Sequence, residues 1–117
     1  MAYIDGCVIP VPTASKAAYL AMVQRMAPLW KKHGATSVVE SWSDNVPEGK
    51  VTSFTLAVQR KDDESVAFSW IYWPDKATRD VGFPKVMEES SGFMNPADMP
   101  FDGKRMIYGG FQVIMDV

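Results

Sequence analysis

The sequence has 117 residues, of which 47% are hydrophobic and 22% charged, a balance typical of one globular domain over residues 1–117 and not of a disordered chain. No apolar run approaches the roughly 18 residues of a membrane span, and the scattered basic residues and net charge of −2 argue against a nucleic-acid-binding face. We therefore expect neither a membrane nor a nucleic acid as partner. One cysteine, and a start without the basic and apolar regions of a signal peptide, predict a cytoplasmic protein.

Hydrophobic periodicity divides the chain into strands, where apolar residues alternate, and helices, where they recur three or four residues apart. Thr13 and Asp75 are suited to be helix N-caps, and Gly34 is suited to end the first helix. In chain order the sequence predicts a strand over 3–11, a helix over 13–33, strands over 35–43, 51–60 and 66–73, a helix over 76–90 and a strand over 105–115.

This order of elements predicts an α+β domain of ferredoxin-like type, the split βαβ arrangement, with one inserted strand. Such a fold places two helices on one face of an antiparallel sheet. The other face then carries a large share of the aromatic side chains, and a monomer rarely exposes an apolar patch of that size. A second copy that lays its own sheet against this face would cover it, so we expect a homodimer.

The connection over 91–104 is long for so small a domain and contains four large apolar residues, among them Phe93 and Phe101. Each would cost roughly 1.5–3 kcal/mol of lost burial if it were left in water. We therefore expect this segment to pack over the end of the sheet and to border the binding pocket.

Metal and thiol chemistry is not expected. His33 is the only histidine and Cys7 the only cysteine, whereas the usual Cys/His metal sites need three or four ligands. A Cys–His pair is not expected either, because the antiparallel helix returns His33 to the start of the strand, roughly 13 Å from Cys7. The chain has no glycine-rich nucleotide fingerprint, so we expect no metal and no cofactor.

Asp5 and Glu40 each interrupt an otherwise apolar strand. A carboxylate on a buried sheet face has a raised pKa and can act as a general base. Another strand lies between theirs in the expected sheet, which separates them by at least about 10 Å and argues against a catalytic dyad. Two interpretations stay open for each residue: a base in a pocket, or a salt bridge or exposed group at the sheet edge.

Four further residues are candidates for a ligand pocket. Trp42 and Trp70 could line a pocket, since pocket walls are mostly apolar, or they could be core and dimer interface. Arg105 could position an anionic substrate or fix a turn. Tyr108 stands beside Gly109–Gly110, and glycines within a strand often mark the close approach of a ligand or another backbone. Tyr108 is therefore the best single pointer to a site.

Several stretches resemble the YbaA-like family of bacterial proteins. They are Tyr-Ile-Asp-Gly at 3–6, Val-Glu-Ser-Trp at 39–42, Phe-Ser-Trp-Ile at 68–71 and, the longest, MPFDGKRMIYGGF at 99–111. The resemblance implies the dimeric α/β-barrel superfamily, in which two ferredoxin-like sheets face each other. That superfamily includes cofactor-independent monooxygenases, haem-degrading enzymes and small-molecule isomerases, and the resemblance implies no particular active-site residue.

Two functions therefore stay open. The first is binding or transforming a small, partly apolar molecule in a cleft beside the dimer sheet, with tyrosine, aspartate or glutamate as the polar groups. The second is a non-catalytic dimeric module, a ligand sensor or a protein-interaction partner, whose aromatic face is only an interface. A pocket of several hundred Å³ that contains a carboxylate or Tyr108 would favour the first, and a filled interface the second.

Overall fold

The computed structural model describes the backbone of residues 1–117 and every side chain except that of Pro96. Its strands are β1 (Tyr3–Pro12), β2 (Ser37–Trp42), β3 (Glu64–Trp73) and β4 (Ile107–Gln112), and its helices are α1 (Lys16–Lys32), α2 (Phe54–Ala57) and α3 (Lys76–Ser90). The strands form one antiparallel sheet in the order β2-β3-β1-β4. This is the expected split βαβ order of an α+β domain, so the predicted fold class is confirmed.

The helix boundaries follow the capping residues. Asp75 precedes α3, and its carboxylate accepts the backbone N–H of Thr78 at 2.7 Å, as the sequence predicts. Gly34 follows α1 in the left-handed conformation, with φ of 109°. Thr13 is not the cap of α1, because it opens a short 3₁₀ turn before the helix and its hydroxyl is hydrogen-bonded to that of Ser65.

The strand predicted over 51–60 is wrong, so the sheet has four strands and no inserted one. The Ser53 hydroxyl accepts the backbone N–H of Leu56 at 3.0 Å and starts the single turn of α2 instead. The alternation of apolar residues there is misleading, because Leu56 stays half exposed while Val58 is 1% exposed. Val58 packs against Val8 and Val66 at one end of the sheet.

The main core lies between α1, α3 and one face of the sheet. Trp73 is its largest fully buried side chain and packs edge-on against Trp30 of α1. Gly82 allows α3 to approach this core, since a Cβ there would lie 2.9 Å from the Trp73 ring and would collide with the His33 carbonyl oxygen. We call the sheet face that carries Trp73 the helix face and the opposite one the outer face.

Candidate functional site

The outer face of the sheet forms an open apolar trough. Strand pairing places Ile4 opposite Phe111, Gly6 opposite Gly109, and Val8 opposite Ile107. On the other side of β1, Trp70 and Phe68 of β3 complete the lining, and the concave space measures about 630 Å³. None of the described residues that line this outer trough is charged.

The chain itself bounds both ends of the outer trough. At one end the Phe54 ring of α2 packs edge-on against Phe68, with the ring centres 5.8 Å apart. At the other end the Tyr72 hydroxyl donates a hydrogen bond to the Asp116 carboxylate, which holds the C-terminal segment beside the sheet. Residues 51–60, which the sequence predicts as a strand, therefore contribute α2 to one end of the outer trough.

Large apolar side chains remain accessible along the outer trough. Phe111 is 63% exposed, and Phe68 and Ile107 are each exposed to a little over 40%. Single exposed apolar residues are common on soluble proteins, but a contiguous patch of them marks an interaction or ligand-binding surface.

The helix face carries a different kind of candidate site. Strand pairing aligns Glu40, Ser69, Cys7 and Tyr108 in one row that crosses β2, β3, β1 and β4 in turn. We call these four residues the polar row. Within it the Cys7 thiol is hydrogen-bonded to the Ser69 hydroxyl at 2.6 Å, and from α1 the Tyr19 hydroxyl donates to Glu40 Oε1 at 2.6 Å.

Burial changes the acid–base properties of this row. Desolvation raises the pKa of Glu40, although hydrogen bonds from Tyr19 and Ser69 oppose the rise. Burial and the neighbouring carboxylate raise the pKa of Tyr19 far above its ordinary value, so that the phenol stays protonated and remains a donor. Burial likewise raises the pKa of Cys7, which keeps the thiol protonated. A carboxyl group with a raised pKa is suited to proton exchange, and Glu40 is therefore the acid–base candidate of this chain.

Asp5 is held in an ion pair and is not a free base. Arg79 of α3 donates to both of its carboxylate oxygens, from Nη2 at 2.9 Å and Nε at 3.0 Å, and Trp73 Nε1 donates at 2.9 Å. Strand β3 separates Asp5 from Glu40, as expected. The structure thus places Asp5 in the salt bridge that the sequence left as one of two interpretations.

Arg105 also has a structural role. Its guanidinium donates to both Glu64 oxygens, at 2.7 and 2.6 Å, and to Asp102 at 3.1 Å. The Arg105 guanidinium holds the pKa of the Glu64 carboxyl below its usual range. Arg105 fixes the turn before β4 to the start of β3, away from the trough lining.

The remaining predicted site residues divide between the two faces. Trp70 lies in the outer trough, whereas Trp42 lies on the helix face, where its ring packs against Tyr19 at 5.9 Å between ring centres. Tyr108 belongs by register to the helix face, at the end of the polar row on edge strand β4, but it is 77% exposed and is also among the residues that line the outer trough. The structure therefore does not bring the six predicted residues together into one pocket.

The segment 91–104 packs down as expected but not beside the main cavity. Phe93 contacts the core under the Arg25 guanidinium, which lies 4.0 Å from its ring centre, and the Phe101 ring packs against Tyr19. These contacts place the segment on the helix side, so the expectation that it borders the pocket does not hold for the outer trough. It borders two smaller grooves, one of about 230 Å³ beside α1 and one of about 450 Å³ lined in part by Phe101 and Arg105.

Metal sites and membrane-spanning helices are two further features considered for the described residues. Among the described side chains, no three from histidine, cysteine, aspartate and glutamate come close enough together to hold a metal ion. None of the described helices combines the length and apolar character needed to cross a membrane.

A four-stranded antiparallel sheet in the order β2-β3-β1-β4, with its two long helices on one face, defines a ferredoxin-like α+β protein. The chain belongs to the family described as protein of unknown function (DUF1428), which matches residues 2–103. It is 48% identical over 116 residues to the uncharacterized protein YbaA of Escherichia coli K12, with 99% of each chain covered, and equally to that of Shigella flexneri. The predicted YbaA-like resemblance is therefore confirmed.

Solved structures of low sequence identity share the fold. A dimeric ferredoxin-like protein from an uncultured marine organism is similar with a TM-score of 0.65 and 11% identity, covering 99% of this chain and 98% of that one. SnoaB, a cofactor-independent oxygenase from Streptomyces nogalater, is similar with a TM-score of 0.61 and 13% identity, covering 99% and 96%. At these identities the likeness concerns the fold.

The sequence analysis did not identify some residues that form the outer trough and the polar row. Gly6 lies opposite Gly109 on the outer trough floor, and its position inside an apolar strand is a signal that could have identified it. Tyr19 and Ser69 carried no such signal, because their roles depend on neighbours that lie far away along the chain.

Proposed function

We propose that the protein is a homodimer, formed through the outer faces of two copies, that binds a small, partly apolar molecule between its two sheets. The observation that carries this proposal is the uncovered outer trough, which is apolar, concave and bounded at both ends by the chain itself.

The dimer explains the exposed apolar side chains. Burying a large side chain such as Phe111 or Phe68 contributes roughly 1.5–3 kcal/mol, and a two-fold axis doubles every contact. The similar marine protein is described as dimeric, which supports this arrangement for the present chain. The helix face offers no comparable surface among the described residues, since its large aromatic side chains pack between the sheet and the helices.

The small molecule explains the concave shape. Two facing troughs with raised ends would meet at their ends and enclose space between them, and about 630 Å³ per copy lies within the range of ligand pockets. The oxygenase activity named for SnoaB supports a small-molecule function on this fold. The uncharged lining favours a ligand that is mainly apolar.

Sedimentation velocity at micromolar protein tests the interface with matched variants. Phe111→Glu places a charge on the outer face, and Val81→Glu places one at a similarly exposed position on α3. We expect the wild type and Val81→Glu to sediment as dimers and Phe111→Glu as a monomer. A monomeric wild type, or a dimer lost in Val81→Glu and kept in Phe111→Glu, would contradict the proposed interface.

A further inference from the structure

The floor of the outer trough lacks side chains where two strands meet. Gly6 of β1 and Gly109 of β4 are direct cross-strand partners, and both lie on the outer face. Together they leave a strip of bare backbone between β1 and the edge strand β4, which we call the glycine seat.

Nothing in the chain itself requires glycine at these two positions. A Cβ on Gly6 would have only the Ser69 carbonyl oxygen near it, at 3.8 Å, and one on Gly109 would lie 3.5 Å from the Phe111 ring; both are ordinary contacts. Neither residue has a positive φ, in contrast to Gly34.

At other positions, contacts within the chain explain why the residue is glycine. At Gly110 a Cβ would collide with the Tyr3 hydroxyl, and at Gly82 it would collide with the His33 carbonyl oxygen. Glycine inside a strand weakens the strand, and a pair of opposed glycines gives up a cross-strand side-chain contact as well. The lack of side chains at Gly6 and Gly109, which no contact within the chain requires, therefore indicates a group from outside this chain.

The walls of the glycine seat define the shape of that group. Trp70 lies beside Gly6 on β3, and the Phe111 ring leans toward Gly109 from the next outward position on β4. The flanking outward residues of β1, Ile4 and Val8, are four residues apart, roughly 13 Å along the strand. The result is a flat, apolar strip between two aromatic walls.

We propose that the glycine seat holds a flat, uncharged aromatic ring system, which lies on the peptide groups of Gly6 and Gly109 with Trp70 and Phe111 at its edges. This rests on the proposed function and specifies its ligand class. Planar rings fit a floor without side chains, and aromatic walls favour stacked or edge-on contacts with them. The absence of charged side chains among the described lining residues favours an uncharged ring.

Amide chemical shifts measured with two probes of the same carbon skeleton test the glycine seat. 2-Naphthol is planar, and decahydro-2-naphthol is not. We expect 2-naphthol to shift the amide signals of Gly6 and Gly109 and to bind at least tenfold more tightly than its saturated counterpart. Failure of 2-naphthol to bind the wild type, or equal binding of the two probes, would overturn the proposal.

Variants that fill the strip provide the second arm. Gly6→Val and Gly109→Val should weaken 2-naphthol binding at least tenfold while sedimentation still shows a dimer. Gly92→Val is the matched control, because a Cβ on Gly92 would have nothing within 4 Å and Gly92 lies in a turn away from the trough. Wild-type affinity in Gly6→Val would overturn the glycine seat.

The oligomeric state separates this proposal from the dimer. If Gly6→Val lost the dimer as well as the probe, the strip would be filled by the partner copy, and the ligand seat would be wrong. If the wild type were a monomer in which 2-naphthol still shifted both glycine amides and Gly6→Val abolished this, the seat would stand and the proposed dimer would fall.

Discussion

The two faces of the sheet use similar residues for different purposes. Trp70 and Trp73 lie on the same strand three positions apart, yet Trp73 is fully buried under α3 and hydrogen-bonded to Asp5, while Trp70 lines the open outer trough. On the helix face the large aromatic side chains pack in the core and stabilise the fold. On the outer face the aromatic side chains remain accessible to a partner or a ligand. The sequence of β3 alone does not show which of its two tryptophans lies on which face.

Polar groups divide in the same way. The acid–base candidate Glu40 lies on the helix face and is hydrogen-bonded to Tyr19, whereas the outer trough lies on the other side of the sheet and has no charged residue among its described lining. Glu40 therefore does not reach the outer trough within one copy. This separation is why binding is better supported than catalysis.

The sharpest test of the comparison replaces each of the two tryptophans by alanine. Trp73→Ala should lower the free energy of unfolding by about 3–5 kcal/mol, because it leaves a large cavity in a packed core. Trp70→Ala should cost about 1 kcal/mol or less in the same chain, because Trp70 stays partly exposed. Urea unfolding measures both, in a Phe111→Glu background that removes the contribution of the proposed dimer.

Equal losses in Trp73→Ala and Trp70→Ala would show that the outer face is as much a folding core as the helix face. The distinction between the two faces would then be wrong.

The Asp5–Arg79 ion pair should give the next largest effect. Asp5→Asn keeps the shape but removes the charge that faces the guanidinium, and we expect a loss of about 1–3 kcal/mol in unfolding free energy. Asp80→Asn breaks the exposed ion pairs with Lys76 and Arg79 and should leave the unfolding free energy almost unchanged. An equal effect of the two variants in urea unfolding would refute the structural importance of Asp5.

The contributions of Glu40 and Glu64 to stability should change with pH in opposite directions. The folded-state pKa of Glu40 is raised, so its contribution to stability is fully present below the ordinary pKa and is lost as the pH rises through the folded value. Glu40→Gln stays neutral and should therefore be more stable than wild type at neutral pH, with the difference vanishing near pH 4.

Glu64 has a lowered folded-state pKa, so its contribution is present above the ordinary pKa and is lost as the pH falls through the folded value. Glu64→Gln should be less stable than wild type at neutral pH and approach it in acid. Thermal unfolding across pH 4 to 8 measures both variants. If both variants were more stable than wild type at neutral pH, or both less stable, the opposite pKa directions assigned to Glu40 and Glu64 would be wrong.

How far the sequence alone predicts the molecule depends on how local each feature is. Helix α3 and its Asp75 cap were predicted with the observed boundaries, because capping and periodicity act over a few residues. The prediction of a strand over 51–60 is wrong because the alternation of apolar residues favours a strand while Ser53 favours a helix N-terminus. Packing against the end of the sheet decides between the two.

The candidate site was predicted only in part, for the same reason. Trp70 was identified as a pocket residue by type, but whether it lines a pocket depends on which face of β3 the helices cover. The contact of Tyr19 with Glu40 joins α1 to β2, and the register that aligns Glu40 with Cys7 arises only when three strands pair. Such long-range pairings are not encoded in local periodicity.

The most direct test of the account is an isotope-filtered NMR experiment on a mixture of labelled and unlabelled copies, which detects contacts between copies alone. The account predicts intermolecular contacts from the methyl groups of Ile4 and Ile107 and the Phe111 ring, all on the outer face. Contacts from Val81 or Met87 on α3 instead, or no intermolecular contacts in a sample that sediments as a monomer, would contradict it.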